Sequence, residues 1–320
     1  MEHDFFRGKF IRNQFSLFLV CNDFSSILTV VIPTLDEEQS IALVIDDLKQ
    51  QGFNNILVVD GNSRDRTREI AGGLGARVVL QEGKGKADAI RTAIPYIETP
   101  YLLVMDGDYT YPAKHIKELL DKAVKENLDE VIGARIRGRE NIPLMNRLGN
   151  WVITKTFNIL FGTNLSDVCS GMYLLRTQRT REINFESKGF SVEVEIAAHI
   201  ASTTRRIGEV PIEYRKRIGK PKLRKRHGAL IMLDAYKLAL RYNPVFLIFM
   251  TASLILIPSL ALTAYVAYDL LVNNVKHHVW AIIAVTGTGI GIQSTLMAIM
   301  TLYLKRLEYR LVQRLEEVKR

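Results

Sequence analysis

Cysteine is scarce in this sequence of 320 residues, which contains only Cys21 and Cys169. Two cysteines cannot build the disulfide framework of a small secreted domain, and no Cys/His cluster has the spacing of a zinc site. A signal peptide is not evident either, because the apolar run "FSLFLV" is short and no small-residue cleavage site follows it. We therefore expect the bulk of the chain in a reducing cytoplasm, with residues 1–26 as an N-terminal extension.

Charge is missing from two long apolar runs, the 27 residues Tyr242–Tyr268 and the 26 residues Val279–Leu304. About 20 apolar residues suffice for a helix to cross the hydrocarbon core of a bilayer. The sequence therefore predicts a transmembrane hairpin over 243–304, with spans at about 244–270 and 279–304. Lys and Arg flank the outer ends of this hairpin, and they continue into a basic tail at 305–320. By the positive-inside rule, both termini and the large N-terminal domain lie on the cytoplasmic side of the cell membrane.

Acidic residues are absent from "YRKRIGKPKLRKR" (214–226), which holds eight basic residues in thirteen. A nucleic-acid patch is one interpretation of such a run. Its place just before a membrane span favours contact with anionic lipid headgroups or a phosphorylated ligand, so we predict no nucleic-acid partner. The next segment, "HGALIMLDAYKLALRY" (227–242), is amphipathic and is predicted to form a helix on the membrane interface.

Small residues stand out inside the second apolar run. Gly287 and Gly291 form a small-residue step of the kind that allows two membrane helices to approach closely. This step would serve packing within the hairpin or a homo-oligomer formed through it.

The part of the chain before the basic run alternates between strand and helix patterns. Apolar runs typical of buried strands are "ILTVVIP" (27–33), "NILVVD" (55–60), "ARVVLQ" (76–81), "YLLVMD" (101–106) and "EVIGAR" (130–135). Helical patterns of 10–15 residues separate them, which predicts an α/β domain with a mostly parallel sheet over 27–226. In such sheets ligands bind beyond the carboxyl ends of the strands.

Polar and acidic clusters follow four of these strands: "PTLDEE", "DGNSRD", "QEGKGK" and "DGDYTYP". Asp60 and Asp106 each end an apolar run, where desolvation penalises a carboxylate without a partner. Asp106 and Asp108 are two residues apart, so in an extended segment both side chains point the same way. Carboxylate oxygens are the ligands of Mg²⁺ and Mn²⁺, which usually bind through one or two carboxylates and the phosphates of a substrate. The pattern predicts metal-assisted chemistry on a phosphorylated ligand.

Several enzyme classes are excluded by missing motifs. The segment "EGKGKADAI" has no G-x-x-x-x-G-K-[ST], so it is not the phosphate loop of an ATPase. The first strand is followed by "TLDEE" and not by a G-x-G-x-x-G turn, which disfavours a dinucleotide fold. The segment "CSGMY" does not match the G-x-S-x-G of a serine hydrolase.

The remaining motifs, in order, are "VVIPTLDEEQSI", "VVDGNSRDRT", "QEGKGKADAI", "MDGDYTYP", "GAR", "DVCSGMYLL" and "GFSVEVEI". This series resembles the family-2 glycosyltransferases with the GT-A fold. Within them the chain is most similar to the archaeal dolichyl-phosphate (polyprenyl-phosphate) hexose synthases, such as dolichyl-phosphate mannosyltransferases. The resemblance covers about residues 28–223 and implies a cytoplasmic GT-A domain followed by the interface helix and the membrane hairpin.

The resemblance also implies roles for individual residues. The implied donor-nucleotide site consists of Pro33, Leu35, Glu37, Asp60, Lys86, Asp106, Gly107, Arg217 and Lys222. The implied ligands of Mg²⁺ or Mn²⁺ are Asp108, Asp106 and Thr110, with Asp108 the most direct. The implied acceptor site consists of Arg135, Arg147 and Ser170, and the catalytic residues are Asp108, Arg135 and Arg147. Glu193 and Glu195 fit a site role and a fold-supporting role equally well.

The implied activity is inverting transfer of one hexose from a nucleotide diphosphate sugar to dolichyl or polyprenyl monophosphate on the cytoplasmic leaflet, for protein (N-linked) or lipid glycosylation. Gly61 and Thr110 depart from the family pattern, so GDP-mannose, UDP-glucose and UDP-N-acetylglucosamine all stay open as donors. One rival is a transferase that extends a lipid-linked glycan through a sugar hydroxyl, with Asp167 as the base. A processive polysaccharide synthase is disfavoured by the missing Q-x-x-R-W element. A non-catalytic sugar-nucleotide-binding scaffold is disfavoured by the intact acids.

Overall fold

The computed structural model describes residues 24–185, 192–219 and 244–318. These residues form two compact units, the first from 24 to 219 and the second from 244 to 318. The predicted interface helix (227–242), Lys222 and most of the N-terminal extension lie outside the described residues. The domain boundaries drawn from the sequence stay predictions.

The first unit contains one sheet and the helices that cover it. Its strands are β1 (Leu28–Thr34), β2 (Ile56–Asp60), β3 (Arg77–Leu80), β4 (Tyr101–Val104), β5 (Glu130–Arg137), β6 (Tyr173–Arg176) and β7 (Ile207–Glu213). Its helices are α1 (Ile41–Gln50), α2 (Thr67–Gly73), α3 (Lys86–Ala93), α4 (Ile116–Lys125), α5 (Leu144–Phe161), α6 (Thr177–Thr180) and α7 (Val192–Thr203). Short 3₁₀ turns lie at Ile94–Tyr96, Ala113–His115 and Arg139–Asn141.

The seven strands are ordered β3-β2-β1-β4-β6-β5-β7. Strands β1 to β4 are parallel to one another, and β5 is parallel to β7. Strand β6 is antiparallel to both β4 and β5. The prediction of an α/β domain with a mostly parallel sheet is confirmed, and β6 and β7 are strands that the sequence patterns did not indicate.

Helices pack on the sheet through regularly spaced apolar residues. In α1 the buried residues are Ile41, Val44, Ile45 and Leu48, which is the spacing of one helix face. Strand β1 is buried along almost its whole length, as expected of a parallel strand covered on both faces. Because the interior of the sheet is filled by apolar side chains, the polar residues of β1, β2 and β4 collect just beyond the strands' carboxyl ends.

The second unit is a helical hairpin of α8 (Pro244–Val272) and α9 (His278–Val318). Both helices are long and apolar enough to cross a membrane, over Ile248–Val272 and His278–Leu304. Only 6% and 17% of their most apolar stretches are buried, whereas a core helix of a soluble domain would be mostly buried. Gly287 and Gly291 face α8, where a Cβ on Gly291 would come 2.7 Å from the Cβ of Leu256. The small-residue step therefore serves packing inside the hairpin.

Candidate active site

The carboxyl ends of β1 and β2 meet at Thr34 and Asp60, which are paired in register. Asp60 is completely buried. Its carboxylate accepts hydrogen bonds from the backbone N–H of Ser63 at 2.8 Å and from the Ser63 hydroxyl at 2.5 Å. The Thr34 hydroxyl adds a longer bond of 3.3 Å. These donors compensate the loss of water around Asp60 and fix its position at the sheet edge.

Pro33, Leu35 and Gly61 lie beside Asp60 at the ends of β1 and β2. Pro33 is in β1, opposite Val59, and the side chain of Leu35 is 43% exposed. A Cβ at Gly61 would contact Leu35 at 3.6 Å and the Thr34 carbonyl oxygen at 3.2 Å. A side chain at Gly61 would therefore crowd the end of β1, and the exposed Leu35 gives this region an apolar surface next to Asp60.

The loop after β4 is folded back around Asp108. Tyr109 has φ of 65°, a left-handed conformation that is uncommon for residues other than glycine. The turn brings the Thr110 backbone N–H to 3.1 Å and the Thr110 hydroxyl to 2.5 Å from Oδ1 of Asp108. Burial raises the pKa of Asp108 and the nearby Asp106 raises it further, against the lowering effect of hydrogen bonds from Thr110 and the charge of Arg217. Asp108 is thus a carboxylate whose charge is incompletely compensated.

Arg217 joins two separate loops through its guanidinium group. Its Nη1 donates to Oδ2 of Asp108 at 2.6 Å, and its Nη2 donates to Oε1 of Glu37 at 2.7 Å. The backbone around it follows the Asp108 loop, because Arg215 donates to the Thr110 carbonyl at 2.8 Å and Ile218 to the Asp108 carbonyl at 3.2 Å. Within the described chain, Nε of Arg217 is buried without a hydrogen-bond partner. A cation is therefore held between the first loop and the Asp108 loop.

Lys86 forms a second cationic centre at the start of α3. Its Nζ lies 2.6 Å from Oδ1 of Asp106 and 2.7 Å from Oε1 of Glu193 on α7. Burial lowers the pKa of Lys86, but the Asp106 and Glu193 carboxylates outweigh this and hold the pKa well above its usual value. Lys86 is therefore a permanent positive charge. Asp106 itself keeps 36% of its side chain exposed, so one oxygen stays accessible to a ligand.

Gly171 allows the chain before β6 to pass directly over Asp106. A Cβ at this position would collide with the Asp106 carboxylate and lie 3.1 Å from the Tyr111 hydroxyl. The backbone N–H of Gly171 donates to that hydroxyl at 2.7 Å. A glycine is thus required here by close approach.

Arg135 on β5 and Asp167 before β6 form a buried ion pair. Nε of Arg135 donates to Oδ2 of Asp167 at 2.5 Å, and Nη2 donates to Oδ1 at 2.8 Å. Nη2 also donates to the Cys169 carbonyl at 3.0 Å, and the guanidinium lies 5.5 Å from the centre of the Tyr214 ring. The Nη1 edge makes no hydrogen bond to any residue in the described part of the chain, which leaves two N–H groups for a ligand.

Three other predicted site residues, Ser170, Arg147 and Gly107, make no side-chain hydrogen bond or ion pair with Asp108, Lys86 or Arg217 within the described residues. The Ser170 hydroxyl is buried and donates to the Gly133 carbonyl at 2.5 Å. Arg147 is exposed in the first turns of α5. The Gly107 carbonyl accepts from the Ser40 hydroxyl at 2.7 Å.

The predicted residues thus form three groups. Glu37, Asp108, Thr110 and Arg217 are in contact, Lys86 contacts Asp106, and Arg135 is bound to Asp167. The sequence patterns missed Tyr111 and Tyr173 and left Glu193 undecided. Tyr173 has a buried hydroxyl without a partner among the described residues and lies beneath Lys86, with 5.9 Å between Nζ and the ring centre. A carboxylate in the apolar helix "VEVEIAAHI" was the available signal for Glu193.

Within the described residues, no group of three or more His, Cys, Asp or Glu side chains forms a ready-made metal cage. A magnesium-type site needs no such cage, since one or two carboxylates and the phosphates of the substrate suffice. Asp108 and Thr110 supply hard oxygen donors, and a cationic guanidinium already occupies the free side of Asp108. The donor set therefore fits a divalent cation of the Mg²⁺ or Mn²⁺ type.

A mixed sheet of this order, with an acidic loop beyond the carboxyl ends of its strands, is a fold of the GT-A type. The glycosyl transferase family 2 model matches residues 29–183. The chain is 33% identical over 295 residues to glycosyltransferase AglJ of Haloferax volcanii, covering 90% of this chain and 97% of that protein. The chain belongs to glycosyltransferase family 2 and is an enzyme of that class.

Two further similarities come from the same comparisons. The dolichyl-phosphate hexose transferase of Haloferax volcanii is 37% identical over 200 residues, covering 61% of this chain and 86% of that protein. The crystal structure of glucosyl-3-phosphoglycerate synthase from Mycobacterium tuberculosis with Mn²⁺, UDP-glucose and phosphoglyceric acid shares the fold. Its TM-score is 0.56 at 20% identity, over 69% of this chain and 81% of that one.

Proposed function

We propose that this enzyme transfers one hexose, with inversion, from a nucleotide diphosphate sugar to a polyprenyl (dolichyl) monophosphate on the cytoplasmic leaflet. The name of the 37% identical Haloferax relative supports a dolichyl-phosphate acceptor, and the two apolar helices support a membrane location. The acceptor oxygen would form a bond to the anomeric carbon while the bond from that carbon to the nucleotide diphosphate breaks.

The donor would bind along the carboxyl ends of β1, β2 and β4. Asp60 would hydrogen-bond to the nucleoside in exchange for one of its present donors, and the exposed side chain of Leu35 offers a surface for the base. Lys86 and Arg217 are the cations nearest the acidic loop, so they are suited to the diphosphate. Lys222, which lies outside the described residues, is proposed to join them.

A divalent cation would be held by Asp108, with Thr110 and the exposed oxygen of Asp106 beside it. When bound, it would supply neutralising charge for the diphosphate leaving group. The Mn²⁺ named with the Mycobacterium tuberculosis enzyme supports this choice. Arg217 would then leave Asp108 and turn to the phosphate oxygens, which suits the planar fork of a guanidinium.

The observation that carries the choice of acceptor is the ion pair of Arg135 and Asp167. Both carboxylate oxygens of Asp167 accept hydrogen bonds from Arg135. Taking a proton from a sugar hydroxyl would forfeit that buried ion pair, so Asp167 is a poor general base. A phosphate monoester is already anionic, needs no base, and can bind the free Nη1 edge of Arg135. Arg147 would supply a second cation from α5.

The test compares Asp167→Asn with Arg135→Lys in the full-length enzyme in vesicles. A general base contributes roughly 10²–10⁴-fold to the rate, so loss of a real base would lower kcat by that much. We expect Asp167→Asn to keep kcat within about tenfold of wild type, a smaller loss than removal of a general base would cause. The variant should instead raise the KM for the acceptor, because Arg135 loses the carboxylate that positions it. Arg135→Lys keeps the charge but loses the fork, and should raise the acceptor KM without changing the donor KM. A folded Asp167→Asn enzyme that binds both substrates but has no turnover would favour the glycan-extending rival.

A further inference from the structure

Helix α5 has apolar side chains on two opposite faces. Ile153, Phe157 and Leu160 are buried against the domain. With 3.6 residues per turn, the opposite face carries another set of apolar residues. These are Leu144, Met145, Leu148, Trp151 and Ile159, with 71%, 74%, 55%, 59% and 63% exposure. We refer to these five residues as the α5 apolar stripe.

A helix that is apolar on all sides is normally enclosed by protein or by lipid. Single exposed apolar residues are ordinary, but four large ones in a row mark an interaction surface. Leu144, Met145, Leu148 and Trp151 form such a row, and Ile159 continues it beyond Lys155. The α5 apolar stripe is not needed to pack the helix on the first unit, because Ile153, Phe157 and Leu160 on the opposite face make that contact.

Basic residues lie on α5 and in the segment that leads into it. The segment 136–161 contains Arg137, Arg139, Arg147 and Lys155, all exposed, and Glu140 as its one acid. Four positive charges against one negative leave a net charge of +3. Such a combination of apolar and basic groups is typical of a helix that lies in the interface of an anionic bilayer.

We propose that the α5 apolar stripe inserts into the headgroup region of the membrane and holds the catalytic domain against the bilayer. Lys155 lies within the stripe and can extend its ammonium group to the headgroups while its methylene chain stays in the apolar layer. Trp151 suits the same depth, because an indole ring prefers the boundary between water and hydrocarbon.

This membrane attachment is separate from the hairpin, and it would position Arg147 at the membrane surface. Arg147 lies four residues before Trp151, so the two side chains are neighbours on the helix surface. With Trp151 in the headgroup layer, the Arg147 guanidinium lies at the level of lipid phosphates. This consequence rests on the proposed lipid monophosphate acceptor, whereas the insertion of the stripe does not.

Membrane is favoured over a protein partner by the charge around the stripe and by the two candidate spans on the same chain, which keep α5 near a bilayer. A second copy or another protein on the stripe is an outcome that the following experiment separates.

The chain contains two tryptophans, so Trp280→Phe leaves Trp151 as the single indole. The full-length variant is placed in vesicles of anionic lipid, with and without bromine on the acyl carbons near the headgroups. Because the stripe would lie within about 5–10 Å of the acyl boundary, we expect bromolipid to remove about half of the Trp151 emission and aqueous iodide to remove little. Quenching by iodide alone would mean that α5 faces water. Protection from both quenchers would mean that protein covers the stripe, and either result overturns the proposal.

A kinetic experiment uses the double variant Leu144→Ser/Leu148→Ser, with Leu80→Ser as the control at another exposed leucine. Loss of two inserted leucines should raise the KM for a long-chain polyprenyl phosphate in vesicles at least about tenfold, the effect of roughly 1.4 kcal/mol. The donor KM and the KM for a short, water-soluble prenyl phosphate should not change. Equal KM values for the double variant and the control would contradict the stripe's role. Absence of transfer to any prenyl phosphate by wild type would instead contradict the proposed function and leave the quenching result standing.

Discussion

At the scale of single residues, three acids of the site form ion pairs with cations from other parts of the chain. Asp106 is paired with Lys86, and Glu37 and Asp108 share Arg217. When the ligands bind, a divalent cation would replace Arg217 at the Asp108 carboxylate. The nucleotide diphosphate would then bind Arg217 and Lys86. Asp106 could be predicted from the sequence because it ends an apolar run, and the roles of Glu37, Lys86 and Asp108 were implied by the resemblance to family-2 glycosyltransferases. The pairing with Arg217 could not be predicted, since 109 residues separate it from Asp108.

Replacing Asp108 by Asn should abolish metal-dependent turnover. A neutral amide cannot match the charge of a carboxylate at a divalent cation, and loss of several kcal/mol of charge stabilisation would lower kcat by at least about 100-fold. Transfer of labelled sugar, with and without EDTA, measures this effect. Asp46→Asn on the exposed side of α1 is the matched control and should keep wild-type activity. Activity that survives both EDTA and Asp108→Asn would contradict the metal assignment.

Removing Arg217 should strengthen binding of Mn²⁺ in the absence of donor while weakening catalysis. In the ligand-free enzyme a metal ion must displace the guanidinium from Asp108, and a hydrogen bond to a charged group contributes roughly 1.5–3 kcal/mol. Arg217→Ala should therefore bind Mn²⁺ about tenfold more tightly or better, as measured from the free Mn²⁺ signal in electron paramagnetic resonance.

Arg217→Lys retains the positive charge and serves as the control for this experiment. Its affinity for Mn²⁺ should stay close to that of wild type, and nucleotide binding should fall less than in Arg217→Ala. Unchanged Mn²⁺ affinity in Arg217→Ala would show that Arg217 and the metal do not compete for Asp108.

At the scale of elements, β1 to β5 could be predicted from the sequence because each has a run of apolar residues between turn signals. Strand β6 could not, since its four residues follow the polar segment "SDVCSG" and resemble the end of a loop. Its antiparallel pairing with β4 and β5 depends on contacts between distant residues. The same pairing positions Gly171 over Asp106 and Asp167 beside Arg135, so the missing strand also explains why the ion pair could not be predicted.

Strand β5 offers a test of stability that does not involve catalysis. Glu130 is its first residue, and the side chain is buried with Oε2 lacking a partner among the described residues. Burial raises the pKa of Glu130 well above its usual value. For a carboxyl group whose pKa is raised by folding, the stabilising contribution is present below the unfolded-state pKa and is lost as pH rises through the folded-state pKa.

The Glu130→Gln variant lacks this titrating group. Its free energy of unfolding should therefore increase relative to that of the wild type as pH rises. The difference in apparent Tm between variant and wild type should be smallest near pH 5 and should widen towards pH 8. Thermal unfolding across this range measures it, and Glu98→Gln at an exposed position should give a constant difference. A difference for Glu130→Gln that does not change with pH would mean that the buried carboxyl group has found a partner.

At the scale of the whole molecule, an α/β glycosyltransferase domain and an apolar helical hairpin lie on one chain. The hairpin could be predicted from the two uncharged runs alone, because helices in lipid need little more than length and hydrophobicity. The membrane orientation is a prediction from the charge at the ends of the hairpin.

Cysteine labelling tests that orientation. In a Cys21→Ser background, Val275→Cys in the turn between α8 and α9 should react with a membrane-impermeant maleimide added to intact cells. Asp46→Cys on α1 should react only after the membrane is made permeable. Cys169 is half-buried and its pKa is raised by burial, so it should contribute little background. Labelling of Asp46→Cys in intact cells would reverse the proposed topology.

The chemical nature of the product tests the central claim most directly. The full-length enzyme in vesicles is supplied with Mn²⁺, polyprenyl monophosphate and labelled GDP-mannose, UDP-glucose or UDP-N-acetylglucosamine, and the lipid product is isolated. A glycosyl phosphate carries one sugar and releases it in mild acid, because the anomeric carbon is bound to a phosphate oxygen. We predict such a product from one of the three donors. A product that retains its sugar in mild acid, or that forms only on a lipid already carrying a glycan, would contradict the proposal.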